Sequence, residues 1–158
     1  MSYTIVRTDN MSGTVEGKNL VSLKYSGNIE NGTIVKVGAL VSGEREVRSA
    51  TLAAKGDALK DLALVASVEL IKDKDSYALN EFVNKSGEIC RGYRLTAHDV
   101  FSVTLEGFAA SQAPAVGNIV EVDGSGKLIA VATATQGSTT IGNVIAIEDG
   151  FYVIEVAA

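Results

Sequence analysis

The chain has one cysteine (Cys90), one proline (Pro114), one histidine (His98) and no tryptophan. A lone thiol cannot close an internal disulfide or supply a multi-cysteine zinc site, so the chain is compatible with synthesis in a reducing cytoplasm. Positive charge is also scarce: 14 basic residues face 19 acidic ones, a formal net charge of −5. A protein that grips a phosphate backbone concentrates Lys and Arg, so neither DNA nor RNA is expected as a direct partner. No apolar run approaches the roughly 18 residues a membrane-crossing helix requires, and no membrane partner is expected. Met1 to Asn10 lacks a basic stretch followed by an apolar one, so no secretory signal is expected. The three Asn-x-Ser/Thr sequences at Asn10, Asn31 and Asn84 are then expected to stay unmodified.

What remains is a chain of 158 residues, 46% of them hydrophobic, punctuated by 16 glycines. At this length a chain buries about 68–70% of its unfolded surface and needs no covalent staple. Short β-branched and apolar runs alternate with Gly, Asn, Asp and Ser, the pattern of strands and tight turns. Eight such runs are Thr33–Val41, Leu62–Ile71, Glu88–Leu95, Val100–Leu105, Asn118–Val122, Lys127–Ala134, Ile141–Ile147 and Phe151–Val156. Asp123-Gly124-Ser125-Gly126 and Asp149-Gly150 are hairpin signals, because such loops need residues that accept positive φ. Asn31-Gly32 marks a further turn. Helical signal is confined to Asp57–Leu62, read as one turn with Asp57 as its N-cap, and to Asp75–Phe82, which fits neither period. The expected fold is mainly β: a compact sandwich or barrel-like domain with at most short helical turns. Residues 1–25 are polar with isolated apolar positions and read as an extended N-terminal arm, with one strand at Leu20–Tyr25, ahead of a β-rich domain at 26–158.

A faint internal repeat accompanies this pattern. Gly32-Thr-Ile-Val-Lys-Val37 resembles Gly117-Asn-Ile-Val-Glu-Val122, and Leu64-Val-Ala-Ser-Val68 resembles Asn143-Val-Ile-Ala-Ile147. The half-repeats span 27–72 and 112–156, with 73–111 as an insertion. Two related β halves, packed together or closed as a barrel, would account for them.

Residues suited to catalysis are few. His98 and Asp99 are adjacent, so on a strand their side chains would point to opposite faces, and they stand where a turn should lead into Val100. Cys90 occupies an apolar-looking position, as a buried structural thiol would. Asp73-Lys-Asp75 begins like a calcium loop, but Ala78 and Asn84 stand where its glycine and closing glutamate belong. Gly124-Ser-Gly126-Lys127 lacks the spacing of a phosphate cradle. No catalytic residue, cofactor or metal is therefore expected. Arg45, Arg48, Arg91 and Arg94 form two pairs in an acidic chain. They read either as ordinary surface ion pairs or as a contact patch for an acidic protein surface.

Glu81–Leu95 followed by Asp99-Val-Phe-Ser-Val103 resembles a pattern found in tailed-phage head proteins. Val116–Leu128 and Ile141-Gly-Asn-Val-Ile-Ala146 are similar to the capsid decoration, or cement, proteins of those phages: a Gly-led strand, a glycine hairpin, then an Ile-Gly-x-Val strand. The resemblance covers residues 31–42 and 79–156. It implies a non-enzymatic structural protein, made in the bacterial host cytoplasm, that binds the outer surface of an assembled capsid and stabilises it. The implied partner is the major capsid protein, with self-association as a dimer or trimer on the shell. On this reading the interface is expected at Arg45, Arg48, Arg91 and Arg94 and on the arm, at Tyr3, Ile5 and Arg7. Removing residues 2–20 would then weaken shell binding and leave thermal unfolding largely intact. Two other readings stay open: a head-fibre base or tail-associated β module, and a small β-barrel enzyme or ligand-binding protein using His98, Asp99 and Cys90.

Overall fold

The computed structural model describes residues 2–158. Its strands are β1 (Val6–Asn10), β2 (Leu20–Lys24), β3 (Ile34–Leu40), β4 (Val47–Leu52), β5 (Leu62–Val65) and β6 (Ile89–Arg94). They continue with β7 (Val100–Thr104), β8 (Ile119–Val122), β9 (Leu128–Val131), β10 (Gly142–Glu148) and β11 (Phe151–Val156). One short helix, α1 (Ser12–Glu16), and three single 3-10 turns complete the described residues. The protein is thus mainly β. Strands β2-β4-β3-β5-β6 close into a barrel, and β1-β7-β11-β10-β8-β9 form an open six-stranded sheet. The hairpin chemistry is as the sequence suggests: Asp149 (φ 49°) and Gly150 (φ 80°) both take positive φ in a two-residue turn between paired Glu148 and Phe151.

Strand for strand, barrel and sheet are built alike. Opened between β2 and β4, the barrel reads β2-β6-β5-β3-β4, matching β7-β11-β10-β8-β9. Register matches too. Ile34 faces Leu64 and Val35 faces Ala63 in the barrel, while Ile119 faces Asn143 and Val120 faces Gly142 in the sheet. Gly32 N–H donates to the Val65 carbonyl and Gly117 N–H to the Val144 carbonyl, both at 2.8 Å. The β6–β5 pairing of Gly92 with Val65 recurs as Ile154 with Val144. What differs is closure. In the barrel β4 pairs in parallel with β2. In the sheet the corresponding edge of β7 is taken by β1, antiparallel.

Two apolar clusters hold this arrangement. Leu23, Val35, Ala50, Ala63, Val65 and Cys90 fill the barrel interior together with Ile29. A larger cluster lies between barrel and sheet: Ile34, Leu62, Leu64, Tyr93 and Leu95 on one side, and Phe101, Val103, Val120, Val122, Leu128, Ile141, Val144, Ile154 and Val156 on the other. Strand β5 serves both, since Leu62 and Leu64 belong to the layer between the halves while Ala63 and Val65 belong to the barrel. That double duty is why Leu62–Val65 is continuously apolar rather than alternating.

Polar ties reinforce the joint. Gly126, at the β8–β9 hairpin, accepts a hydrogen bond from Ile34 N–H at 2.9 Å. Lys127 pairs with Glu30, whose carboxylate also accepts from Thr4 N–H at 2.8 Å and Thr4 Oγ1 at 2.9 Å. Asp57 pairs with Lys36 at 2.8 Å, and its backbone carbonyl accepts from Thr139 Oγ1 at 2.6 Å. The Lys36 ammonium hydrogen-bonded to it holds the Asp57 carboxyl below the ordinary carboxylate range.

Several sequence expectations are corrected. Residues 1–25 are extended for much of their length but do not stand off as an arm. β1 is an edge strand of the sheet, β2 is a barrel strand, and Met11 and Leu23 are fully buried. The supposed insertion 73–111 contains β6 and β7, a barrel strand and a sheet strand, so the equivalent halves run 20–94 and 100–156 rather than 27–72 and 112–156. Their β2/β7 and β6/β11 pairs share register but almost no residues, which hid them. Strand β5 stops at Val65, not Ile71. Asp57 caps no helix. The 3-10 turn is Leu59–Asp61, preceded by Ala58, and Asp57 instead accepts from Ala54 N–H at 2.9 Å.

Candidate functional site

Barrel closure gathers three of the four arginines singled out by sequence. The parallel β2–β4 pairing sets Ser22 beside Val47 and Leu23 beside Arg48, and the antiparallel β2–β6 pairing sets Leu20 beside Tyr93. The result is an open depression of about 420 Å³ lined by Leu20, Val21, Ser22, Leu40, Arg45, Glu46, Arg48 and Arg94. Arg45 lies on the exposed β3–β4 turn, Arg48 and Arg94 are half-buried, and Leu20 and Leu40 are 40% and 50% exposed. Arg48 is anchored, donating from Nη1 to the Gly38 carbonyl at 3.1 Å where β3 bulges. The four ion pairs among the described residues all use lysines. Arg45, Arg48 and Arg94 therefore have no carboxylate partner there, although Glu46 shares the rim. Among the described residues these three arginines form no ion pair, so the reading of them as surface ion pairs finds no support there.

The remaining predicted residues lie elsewhere. Arg91 is exposed on β6 and does not line the depression; its N–H donates to Ser67 Oγ at 3.0 Å. Arg7 stacks on Phe151, its guanidinium carbon 3.8 Å from the ring centroid, beside a small hollow with Asp9 and Glu148. Tyr3 donates its N–H to the Asn80 carbonyl, and Ile5 binds Thr104 through both backbone groups, so this segment is fastened to the protein itself. The apolar floor of Leu20, Val21 and Leu40 was missed. Nothing local marks it, because it exists only once β4, a strand absent from the sequence reading, closes the barrel.

The residues of the enzyme reading are not assembled. Asp99 spends both oxygens on Ser12, accepting from its N–H at 3.0 Å and its Oγ at 3.1 Å. His98 is exposed in a left-handed turn conformation at φ 68°. Cys90 points into the barrel, 2% exposed, with its thiol 3.5 Å from the Leu23 carbonyl it donates to, and burial pushes its pKa up. We expect a thiol-disulfide reagent near neutral pH to label the folded protein on the order of a hundredfold more slowly than the urea-unfolded chain. Equal rates would show that the barrel interior is open.

Among the described residues no group of three or more His, Cys, Asp or Glu could hold a metal ion, and no helix is long and apolar enough to cross a membrane. Asn31 and Asn84 are 1% and 5% exposed, and their side chains hydrogen-bond to each other at 3.1 Å. Glu121 is fully buried, and its Oε1 accepts from Thr135 N–H at 2.7 Å. That contact pins the loop that reaches Asp57. What the depression offers is three cationic side chains, one of them anchored, beside apolar surface on a closed barrel. No protein-family model, curated protein or solved structure matches the chain.

Proposed function

We propose that this is a structural virion protein that binds the outer surface of an assembled tailed-phage capsid and stabilises it. The particle is suggested by the resemblance of residues 31–42 and 79–156 to phage decoration proteins. The binding face is suggested by the depression where Arg45, Arg48 and Arg94 surround Leu20 and Leu40 without a carboxylate partner among the described residues. Arginine beside apolar surface is favoured at protein interfaces, and its planar fork can hold a carboxylate in two hydrogen bonds. An acidic segment of the coat protein fits this face. Because Arg48 and Arg94 sit on strands of a closed barrel, and Arg48 is already anchored on the Gly38 carbonyl, little backbone freedom is lost there on docking.

The test is cosedimentation with shells of the encoding phage stripped of accessory proteins. Wild type should saturate at a fixed ratio to coat protein, and binding should weaken with added salt. Arg45→Glu with Arg94→Glu should lower the affinity by about tenfold or more through lost attraction and new repulsion. Saturation unchanged by these substitutions would remove the face. Binding to soluble coat subunits but not to shells would remove the function. Labelling at a single vertex rather than over every face would assign the protein to a fibre base or tail.

A further inference from the structure

The equivalence of the two halves supplies an internal control. In the sheet the connection from β10 to β11 is the two-residue turn Asp149–Gly150, whereas the equivalent connection from β5 to β6 runs through residues 66–88. The fold does not require the longer path, and ordering each extra residue costs about 1–2 kcal/mol of backbone entropy. This excursion is nonetheless pinned. Asn84 bonds the Ile29 carbonyl and Asn31, Asn31 bonds Ser67, and Tyr77 Oη donates to the Glu69 carbonyl at 2.8 Å. It also leaves large apolar side chains in water: Val68 is 73% exposed, Leu70 60% and Leu79 50%, with Ile89 beside it at 57%.

Leu70 and Ile89 line a depression of about 440 Å³ together with Ile71, Phe82 and Val83. Its rim carries two cations, Lys72 and Lys85, and two anions, Asp73 and Glu88. None of the four takes part in an ion pair among the described residues, although Lys74 and Glu81 on the same excursion do pair. We infer that this surface binds the same surface on a second copy of the chain in a two-fold dimer. An isologous contact repeats every pairing twice, so charges in a patch that matches itself must be present in both signs. This rim carries both. The arginine depression, with three arginines against the single Glu46, would set cations against cations across a two-fold axis and is left free for a different partner. The inference is independent of the proposed function, because the dimer needs no shell.

Sedimentation velocity of the full chain tests it. Wild type should shift from monomer to dimer as concentration rises. Leu70→Glu and Ile89→Glu, both at exposed positions, should each weaken dimerisation at least tenfold while leaving the thermal midpoint in place. Lys85→Glu should also weaken it, and Lys85→Glu with Glu88→Lys in one chain should restore much of the loss, as only a self-matching interface allows. A wild type that stays monomeric at millimolar concentration would overturn the inference, as would a dimer indifferent to Leu70 and Ile89, or a trimer. A monomer whose binding to stripped shells requires Leu70 and Ile89 would assign the surface to the coat protein instead.

Discussion

Removing residues 2–11 should lower the thermal midpoint by about 15 °C or leave a chain that does not fold cooperatively. Met11 is fully buried in the layer between barrel and sheet, and losing a buried Met side chain costs about 2–5 kcal/mol. Thr4, 2% exposed, binds the Glu30 carboxylate through its N–H and hydroxyl, so truncation leaves that carboxylate and Lys127 less satisfied at the joint. Strand β1 also covers the edge of β7, and its loss would expose backbone donors and acceptors there. Met11→Ala alone should cost about 3 kcal/mol and roughly 10 °C, separating the packing contribution from the edge contribution. Calorimetry on both variants checks this. A truncated protein melting within a few degrees of wild type would mean that the segment is a detachable arm, as the sequence alone suggested.

Gly142→Ala should be the most damaging single methyl addition. A Cβ at Gly142 would stand 2.0 Å from the Glu155 carbonyl oxygen, 2.9 Å from its carbon and 3.1 Å from Val156 Cα. All three are backbone atoms, so no side chain can rotate away, and β10 must separate from β11 in the middle of the sheet. Overpacking of this kind costs about 3 kcal/mol, read as a lower urea midpoint at unchanged slope. The equivalent barrel position is Ala63, which pairs with Arg94 and carries its methyl without difficulty. Gly150→Ala is the control: nothing lies within 4 Å of its Cβ, and only the positive φ of 80° is strained, costing about 1 kcal/mol. If Gly142→Ala melted with wild type, the close approach of the two strands would be wrong.

Eight runs announced strands because each combined β-branched residues with flanking Gly, Asn or Asp, and each holds a strand. The two missed strands, β1 and β4, had no such signal. Val6-Arg-Thr-Asp-Asn10 and Val47-Arg-Ser-Ala-Thr-Leu52 are polar enough to read as loops, and they become strands because β7 on one side, and β2 and β3 on the other, offer them hydrogen bonds. The Asp57 turn failed similarly. Its carboxylate had a local use as a cap, but Lys36 and the Ala54 N–H compete for it successfully. At the candidate site, the arginines were legible as a departure from the acidic background. Their division was not: Arg91 precedes Arg94 by three residues on β6 but does not line the depression.

By itself the sequence determined the β class, the hairpins at residues 123–126 and 149–150, and an echo of two halves, since turns and strand runs depend on local chemistry. Only the tertiary structure decided that one half closes into a barrel while the other stays open. Closure depends on which strand reaches the free edge of β2 or β7, a contact between segments far apart in sequence. The arginine depression follows from that same long-range pairing.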